Sequence, residues 1–139
     1  MPGEREAYDE LCAYTLTHGD PRFIHQHVVD VYAAQHASPD SKPIGLTFAL
    51  AGLYLHVEKN LTGRDVQRAH MRMAQRKRVW PRWTLPSNRG DITATQVLVA
   101  PEGPDRDRAI DAWCESVWSA FAPANRETLV QLLEQYHLA

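Results

Sequence analysis

The sequence has 139 residues, of which 44% are hydrophobic, and its 15 basic residues oppose 17 acidic ones for a net charge of −2. This length suits one domain, 1–139, and these values exclude a disordered chain and a globally cationic nucleic-acid binder. Two cysteines without a CxxC pair argue against a disulfide framework or a thiolate zinc site.

The start of the chain and its apolar segments do not have the patterns of secretion or membrane insertion. Three acidic residues precede the first apolar run, which is unlike a signal peptide. The most apolar stretch, 44–57, has 14 residues, whereas a membrane helix needs about 20. We therefore expect a cytoplasmic protein with no membrane partner.

The first half of the chain predicts three helices. A helix is predicted over 4–17, because Gly19 is a common residue just past a helix end. An Asp-Pro pair at 20–21 predicts the start of a second helix that continues to about residue 36. After a loop rich in proline and serine, the third helix is predicted over about 44–60. It is apolar on nearly all sides, which is typical of a buried central helix.

Three small residues share one stripe of this third helix, namely Gly45, Ala49 and Gly52. Small side chains at helical spacing would let a neighbouring helix approach closely. Thr62 as an N-cap then predicts a fourth helix that continues to about residue 79.

The segment 92–100 allows two interpretations. Its Thr and Val residues favour a strand, whereas Thr93 with Gln96 matches a capping box. We predict a short helix, because a lone strand has no visible partner. Two more helices are predicted over 105–121 and 125–136. The predicted fold class is therefore all-α, a compact bundle of five to six helices around the helix at about 44–60.

The second predicted helix holds three of the seven histidines. At about 100° per residue, His25, Tyr32 and His36 share one stripe. His25 and His36 are roughly 16 Å apart along the axis, so they cannot bind one metal ion together. Only His27 and Asp30, at i and i+3, converge within this helix. A metal site here would need partners from other helices.

Three interpretations of these residues stay open. A buried hydrogen-bond network is favoured over a divalent transition metal, because the sequence has no HExxH or Glu-x-x-His signature. The metal-ligand candidates are His27, His56 and Glu58. Metal-free acid–base catalysis is the third interpretation, since histidine titrates near neutral pH. Its candidate residues are His25, Asp30, Tyr32 and His36.

The segment 59–89 carries nine of the 15 basic residues. Four of them repeat at four-residue spacing and form one arginine ridge: Arg64, Arg68, Arg72 and Arg76. A cationic ridge beside an indole suits an anionic ligand or a nucleic-acid phosphate. The ligand-binding candidates are Arg68, Arg72, Arg76 and Trp80. The alternative is that acidic residues of the helix 105–121 or of a partner neutralise the ridge, and the net charge argues against general nucleic-acid binding.

Segment 25–36 resembles the signature H-x-x-x-V-D-x-Y-x-x-Q-H of a bacterial family of uncharacterised helical proteins. The match consists of His25, Val29, Asp30, Tyr32, Gln35 and His36. The resemblance extends through 53–58, Trp83 with Pro86, Thr93 with Val97, and Trp113 with Trp118. It implies an all-helical domain without an assigned activity. The chain departs from the family pattern at 1–4, where many members carry a cysteine-containing segment, and at Ala49, where many carry a histidine.

The leading functional prediction is a small-molecule-handling domain, either an enzyme or a binding protein, with a His/Asp-lined polar pocket between helices two and three. One alternative is an anion- or nucleic-acid-binding module that uses the arginine ridge and Trp80. Another alternative is a non-catalytic homodimeric interaction domain.

Overall fold

A computed structural model describes residues 3–18, 20–76 and 78–139, and these residues form six α-helices. The helices are α1 (Glu4–Thr17), α2 (His25–Gln35), α3 (Pro43–Val57), α4 (Gly63–Ala74), α5 (Ala94–Val99) and α6 (Pro104–Glu134). The described part of the chain contains no strand, so the all-α fold class is confirmed. In that part, no helix has both the length and the apolar character needed to cross a membrane.

Helix α3 lies at the centre of the bundle, as its apolar sequence predicts. Nine of its 15 residues are buried, and it packs against α2, α4 and α6. Leu50 on α3 and Trp113 on α6 are both completely buried in this core. Full burial of one such apolar side chain contributes about 1.5–3 kcal/mol. The central position of α3 follows from this apolar surface, which has no polar face to expose.

Gly52 lets α2 approach α3 closely. A Cβ atom at this position would lie 2.6 Å from Cγ of Asp30, and closer still to its Oδ2 atom. Gly45 belongs to the same predicted stripe, but a Cβ atom there would meet nothing within 4 Å. The small-residue stripe therefore has its packing role around Gly52 and not along its full length.

The predicted start of the second helix is wrong, because α2 begins at His25. The N–H groups of Arg22 and Phe23 donate to Asp20, to its side chain and its carbonyl oxygen respectively, each at 2.9 Å. Asp followed by Pro also favours a β-turn, and Phe23 leaves the helical region with φ of 61°. The turn packs against Gly63, where a Cβ atom would lie 2.7 Å from the carbonyl carbon of Phe23.

The last two predicted helices form one continuous helix, α6, with Pro123 inside it. Proline lacks the N–H group and usually breaks a helix. Here the Nδ2 atom of Asn125 donates to the carbonyl oxygen of Phe121 at 2.9 Å. The same amide exchanges two 2.8 Å hydrogen bonds with the backbone of Thr84. These contacts anchor the turn that follows the proline, and because α6 is continuous the prediction of two separate helices is wrong.

The other local signals agree better with the structure. Helix α1 has the predicted bounds, although its end signal Gly19 lies outside the described residues. Oγ1 of Thr62 accepts the N–H of Asp65 at 3.2 Å at the start of α4, although α4 ends before the predicted residue. The short helix α5 is confirmed, and Oε1 of Gln96 accepts the N–H of Thr93 at 2.9 Å.

Arg89 ties the segment between α4 and α5 to the end of α2. Its guanidinium donates to the carbonyl oxygens of Gln35 at 3.1 Å and Ala37 at 2.7 Å. The C-terminal end of a helix carries partial negative charge, which a cation stabilises. Arg89 therefore caps α2 from a distant part of the chain.

Replacing Arg89 by methionine should lower the free energy of unfolding by about 2–3 kcal/mol, because hydrogen bonds to a charged group are lost. The control is Arg82→Met, an exposed residue of the same segment, which should cost less than about 0.5 kcal/mol. Urea denaturation measures both variants. Equal losses in the two would contradict the capping role of Arg89.

Candidate functional site

A cavity of about 560 Å³ lies between the starts of α2 and α4, the end of α3, and α6. Its size is within the range of small-molecule sites. The polar side chains on its wall include Asp20, His27, His56, Asn60, Asp107 and Asp111. We call it the His27–His56 cavity.

His27 of α2 and His56 of α3 stack face to face on the wall of this cavity. Their ring centroids are 3.5 Å apart and the rings are inclined by 16°. His27 is only 3% exposed. The packing of α2 on α3 thus brings together two of the three predicted metal-ligand candidates.

Both ring nitrogens of His56 face acceptors. Nδ1 lies 3.0 Å from the carbonyl oxygen of Leu61, and Nε2 lies 2.9 Å from Oδ1 of Asp111. A ring N–H of His56 can donate to either acceptor. His56 therefore acts as a fixed, carboxylate-paired donor and has no free nitrogen to bind a metal ion.

His27, in contrast to His56, has a ring nitrogen without a hydrogen-bond partner in the described chain. Its Nδ1 atom is buried and has no hydrogen-bond partner within the described ranges. Burial, together with the neighbouring His56, lowers the pKa of His27 to about 3, so the ring is neutral at neutral pH. A neutral imidazole has one donor and one acceptor nitrogen. His27 thus provides hydrogen-bonding capacity that the protein itself does not use at Nδ1.

Aspartates supply most of the charge on the wall. Oδ1 of Asp107 accepts the hydroxyl of Tyr14 at 2.8 Å. Oδ1 of Asp20 accepts the N–H of Arg22, whereas its Oδ2 atom is buried without a partner among the residues described. Together with Asp111, these groups make the cavity acidic.

The third metal-ligand candidate lies elsewhere. Glu58 pairs with Arg126 at 2.7 Å and accepts the indole N–H of Trp118 at 2.7 Å. The hydrogen bonds from Arg126 lower the pKa of Glu58. Across residues 3–18, 20–76 and 78–139, no three His, Cys, Asp or Glu side chains are placed to hold a metal ion. The structure therefore does not assemble the predicted set of His27, His56 and Glu58.

The four catalytic candidates do not line this cavity. Three of them, His25, Tyr32 and His36, contact α1. Tyr32 stacks on Tyr8, with ring centroids 3.9 Å apart. Nδ1 of His25 lies 3.0 Å from Oγ1 of Thr15, and His36 lies 3.5 Å from a carboxylate at the start of α1. These contacts join α1 to α2, which favours the interpretation as a structural network.

Asp30, the fourth candidate, lies between α2 and α3. Nε2 of Gln26 donates to its Oδ1 atom at 3.1 Å, and its Oδ2 atom has no partner in the described chain. Burial raises the pKa of Asp30 well above the usual range, which favours the protonated side chain. The structure therefore does not bring the four candidates together in one pocket.

Gln35, another residue of the signature, links three parts of the fold. Its Oε1 atom accepts the indole N–H of Trp113 on α6 at 2.9 Å. Its Nε2 atom donates to the carbonyl oxygen of Ile92 at 2.7 Å, just before α5. The buried amide thus connects α2 to both neighbours by specific hydrogen bonds.

The arginine ridge contacts the end of α6. Arg72 donates to the carbonyl oxygen of Tyr136 at 2.6 Å, and Arg76 lies 3.5 Å from that of Gln135. These cations are favourable beside the negative end of the helix. Within the described chain, carbonyl oxygens and not acidic side chains of the segment 105–121 accept hydrogen bonds from Arg72 and Arg76. Lys77, a further basic residue of the segment, lies outside the described residues.

The other two ligand-binding candidates also have partners. Arg68 lies 3.4 Å from Asp65 of the same helix. The Trp80 ring meets Phe48 edge to face, with centroids 5.5 Å apart. Each of the four candidates thus has a contact within the protein, but the Arg68 side chain is 70% exposed.

Sequence reasoning did not select the cavity aspartates as site residues. Asp107 and Asp111 are at i and i+4, which places both on one face of a predicted helix. The pairing of Asp111 with His56 spans 55 residues, and no local pattern encodes it. Asp20 was interpreted as a helix N-cap and was therefore not predicted as a residue of the cavity wall.

Comparisons with known proteins identify a family. Neither the curated proteins nor the solved structures include a significant match to this chain. A family model described as "Family of unknown function (DUF5946)" matches residues 5–122. This range includes every residue named above on the wall of the His27–His56 cavity. The match confirms the resemblance to an uncharacterised family, and the chain belongs to the family of unknown function DUF5946.

Proposed function

We propose that this chain binds a small polar molecule in the His27–His56 cavity. The observation that carries the proposal is the buried Nδ1 atom of His27, which has no partner among the described residues of a polar wall. Buried polar atoms in folded proteins nearly always have a partner from protein, water or ligand. A polar molecule in the cavity would supply that partner.

The environment of His27 favours binding over acid–base catalysis. With a pKa of about 3, only about one ring in 10,000 is protonated at pH 7. A general acid or base works best when its pKa is near the working pH. His56 has both nitrogens engaged, so neither ring is suited to transfer protons. His27 would instead orient a ligand through a neutral hydrogen bond.

The anion-binding alternative has less support. The arginine ridge would have to exchange its contacts with the carbonyl oxygens of Gln135 and Tyr136 for contacts with an anion. The contact of Arg72 with Tyr136 is partly buried, and its loss would cost free energy that a ligand would have to offset.

Replacing His27 by phenylalanine tests the proposal. Phenylalanine can keep the ring stacked on His56 and removes both nitrogens. We expect small polar fragments that shift the backbone amide signals of Asn60 and Thr62 in NMR spectra of the parent protein to bind about tenfold more weakly to this variant.

The matched control is His25→Phe, on the same helix but in contact with α1. It should bind these fragments as the parent protein does. Equal affinity of the parent protein and His27→Phe would contradict the proposal, as would the absence of any fragment that shifts these signals.

A further inference from the structure

We infer that the molecule bound in the His27–His56 cavity is a small organic cation, whose ammonium or guanidinium group donates hydrogen bonds to Asp20 and His27. This inference rests on the proposed function and specifies its ligand class. Three observations support it: the charge of the wall, two acceptor atoms that have no partner in the described chain, and the hydrogen bonds of the backbone N–H groups at the start of α4.

The charge of the wall is negative on balance. Asp20, Asp107 and Asp111 contribute three carboxylates, whereas Arg22 contributes one fixed positive charge. His56 is already paired with Asp111 at 2.9 Å, and Arg22 is exposed. A ligand between Asp20 and Asp107 therefore experiences a negative potential, which favours a cation.

Two hydrogen-bond acceptors of the wall have no partner in the described chain, and a hydrogen-bond donor would satisfy them. Oδ2 of Asp20 is buried, has no partner within the described ranges, and as a carboxylate oxygen can only accept. The neutral ring of His27, 3% exposed, offers one further acceptor nitrogen. An ammonium carries three N–H donors and a guanidinium five, so either group has enough donors for two acceptors. A carboxylate or a phosphate dianion offers them no N–H.

The nearby helix N-terminus does not reverse this preference. Helix α4 begins beside the cavity, and free N–H groups there would attract an anion. The N–H of Arg64 instead donates to the carbonyl oxygen of Arg22 at 3.0 Å, and that of Asp65 donates to Thr62 at 3.2 Å. Both N–H groups therefore form hydrogen bonds within the protein and are not available to bind an anion.

To test this inference, the full chain is titrated at constant ionic strength with five probes: methylammonium, methylguanidinium, acetamide, acetate and inorganic phosphate. Binding is measured from the shifts of backbone amide signals in NMR spectra. We expect saturable shifts at Asn60 and Thr62 with the two cations only. Asp20→Asn keeps an oxygen for the N–H of Arg22 and should weaken cation binding about tenfold. Asp105→Asn, on an exposed residue of α6 that pairs with Arg108, should change it less than twofold.

The outcomes separate the inference from the proposed function. Binding of phosphate, acetate or acetamide that His27→Phe abolishes, without cation binding, would overturn the cation inference and leave the proposed function standing. Cation binding that Asp20→Asn does not weaken would also overturn the inference. If no probe shifts the cavity signals, both are overturned. Should Asp20→Asn fail to fold, Asp107→Asn removes one charge from the same wall and is read in the same way.

Discussion

Replacing Gly52 by alanine should lower the free energy of unfolding by about 2–3 kcal/mol. The new methyl group would lie 2.6 Å from Cγ of Asp30, far inside van der Waals contact. Asp30 is itself buried, so its side chain has no open space to move into. The methyl group can be accommodated only if the Asp30 side chain is displaced or α2 and α3 separate, and either change disturbs the packing of the core.

Gly45→Ala is the matched control, because it adds the same methyl group to the same helix. A Cβ atom at Gly45 meets nothing within 4 Å, so the higher helix propensity of alanine should stabilise the protein by up to about 1 kcal/mol. Urea denaturation of both variants measures the contrast. The double variant Gly52→Ala/Asp30→Ala should recover part of the loss, with a coupling energy of about 1 kcal/mol or more. Equal effects at Gly52 and Gly45 would contradict the close contact between α2 and α3.

Replacing Asp30 by asparagine should stabilise the protein at neutral pH and change how its stability depends on pH. Burial raises the pKa of Asp30 in the folded protein, so the folded state keeps a proton that the unfolded state loses. The stabilisation by this proton is complete below the unfolded pKa, near pH 4, and is lost as the pH rises through the folded pKa. Within that window the loss is at most about 1.4 kcal/mol per pH unit. Asparagine is neutral throughout and its Oδ1 atom can still accept from Gln26.

The measurement is the difference in unfolding free energy between Asp30→Asn and the parent protein, taken from about pH 4 to about pH 8. We expect this difference to grow in favour of the variant as the pH rises. Asp9→Asn is the control, since Asp9 forms an exposed pair with Arg5 and such pairs contribute little. A difference for Asp30→Asn that does not depend on pH would refute the raised pKa.

Local signals were enough to predict several elements. The apolar surface of 44–57 predicted the buried central helix. The capping box of Thr93 and Gln96 correctly favoured a short helix over a strand. Caps and helical periodicity act within one or two turns, so a single sequence contains them in full. At Asp20 the local signal led to a wrong prediction, because a turn that packs on Gly63 lies where the helix start was predicted.

The candidate site was predictable only in its general character. A His/Asp-lined pocket between the second and third helices was predicted, and His27 and His56 of the proposed site were chosen as metal ligands. The catalytic candidates were selected because they share a stripe of α2. Periodicity shows which residues share a face, but it does not show which neighbouring helix that face meets.

The sequence by itself determined the all-α class, the central apolar helix, the membership of an uncharacterised family and most helix signals. Only the tertiary structure decided that α6 continues through Pro123, that the arginine ridge meets the end of α6, and that His56 pairs with Asp111. These outcomes depend on contacts between residues far apart in the chain. Such contacts set the burial and the partners of each polar group, and burial and partners decide whether a histidine is a donor, an acceptor or part of the core.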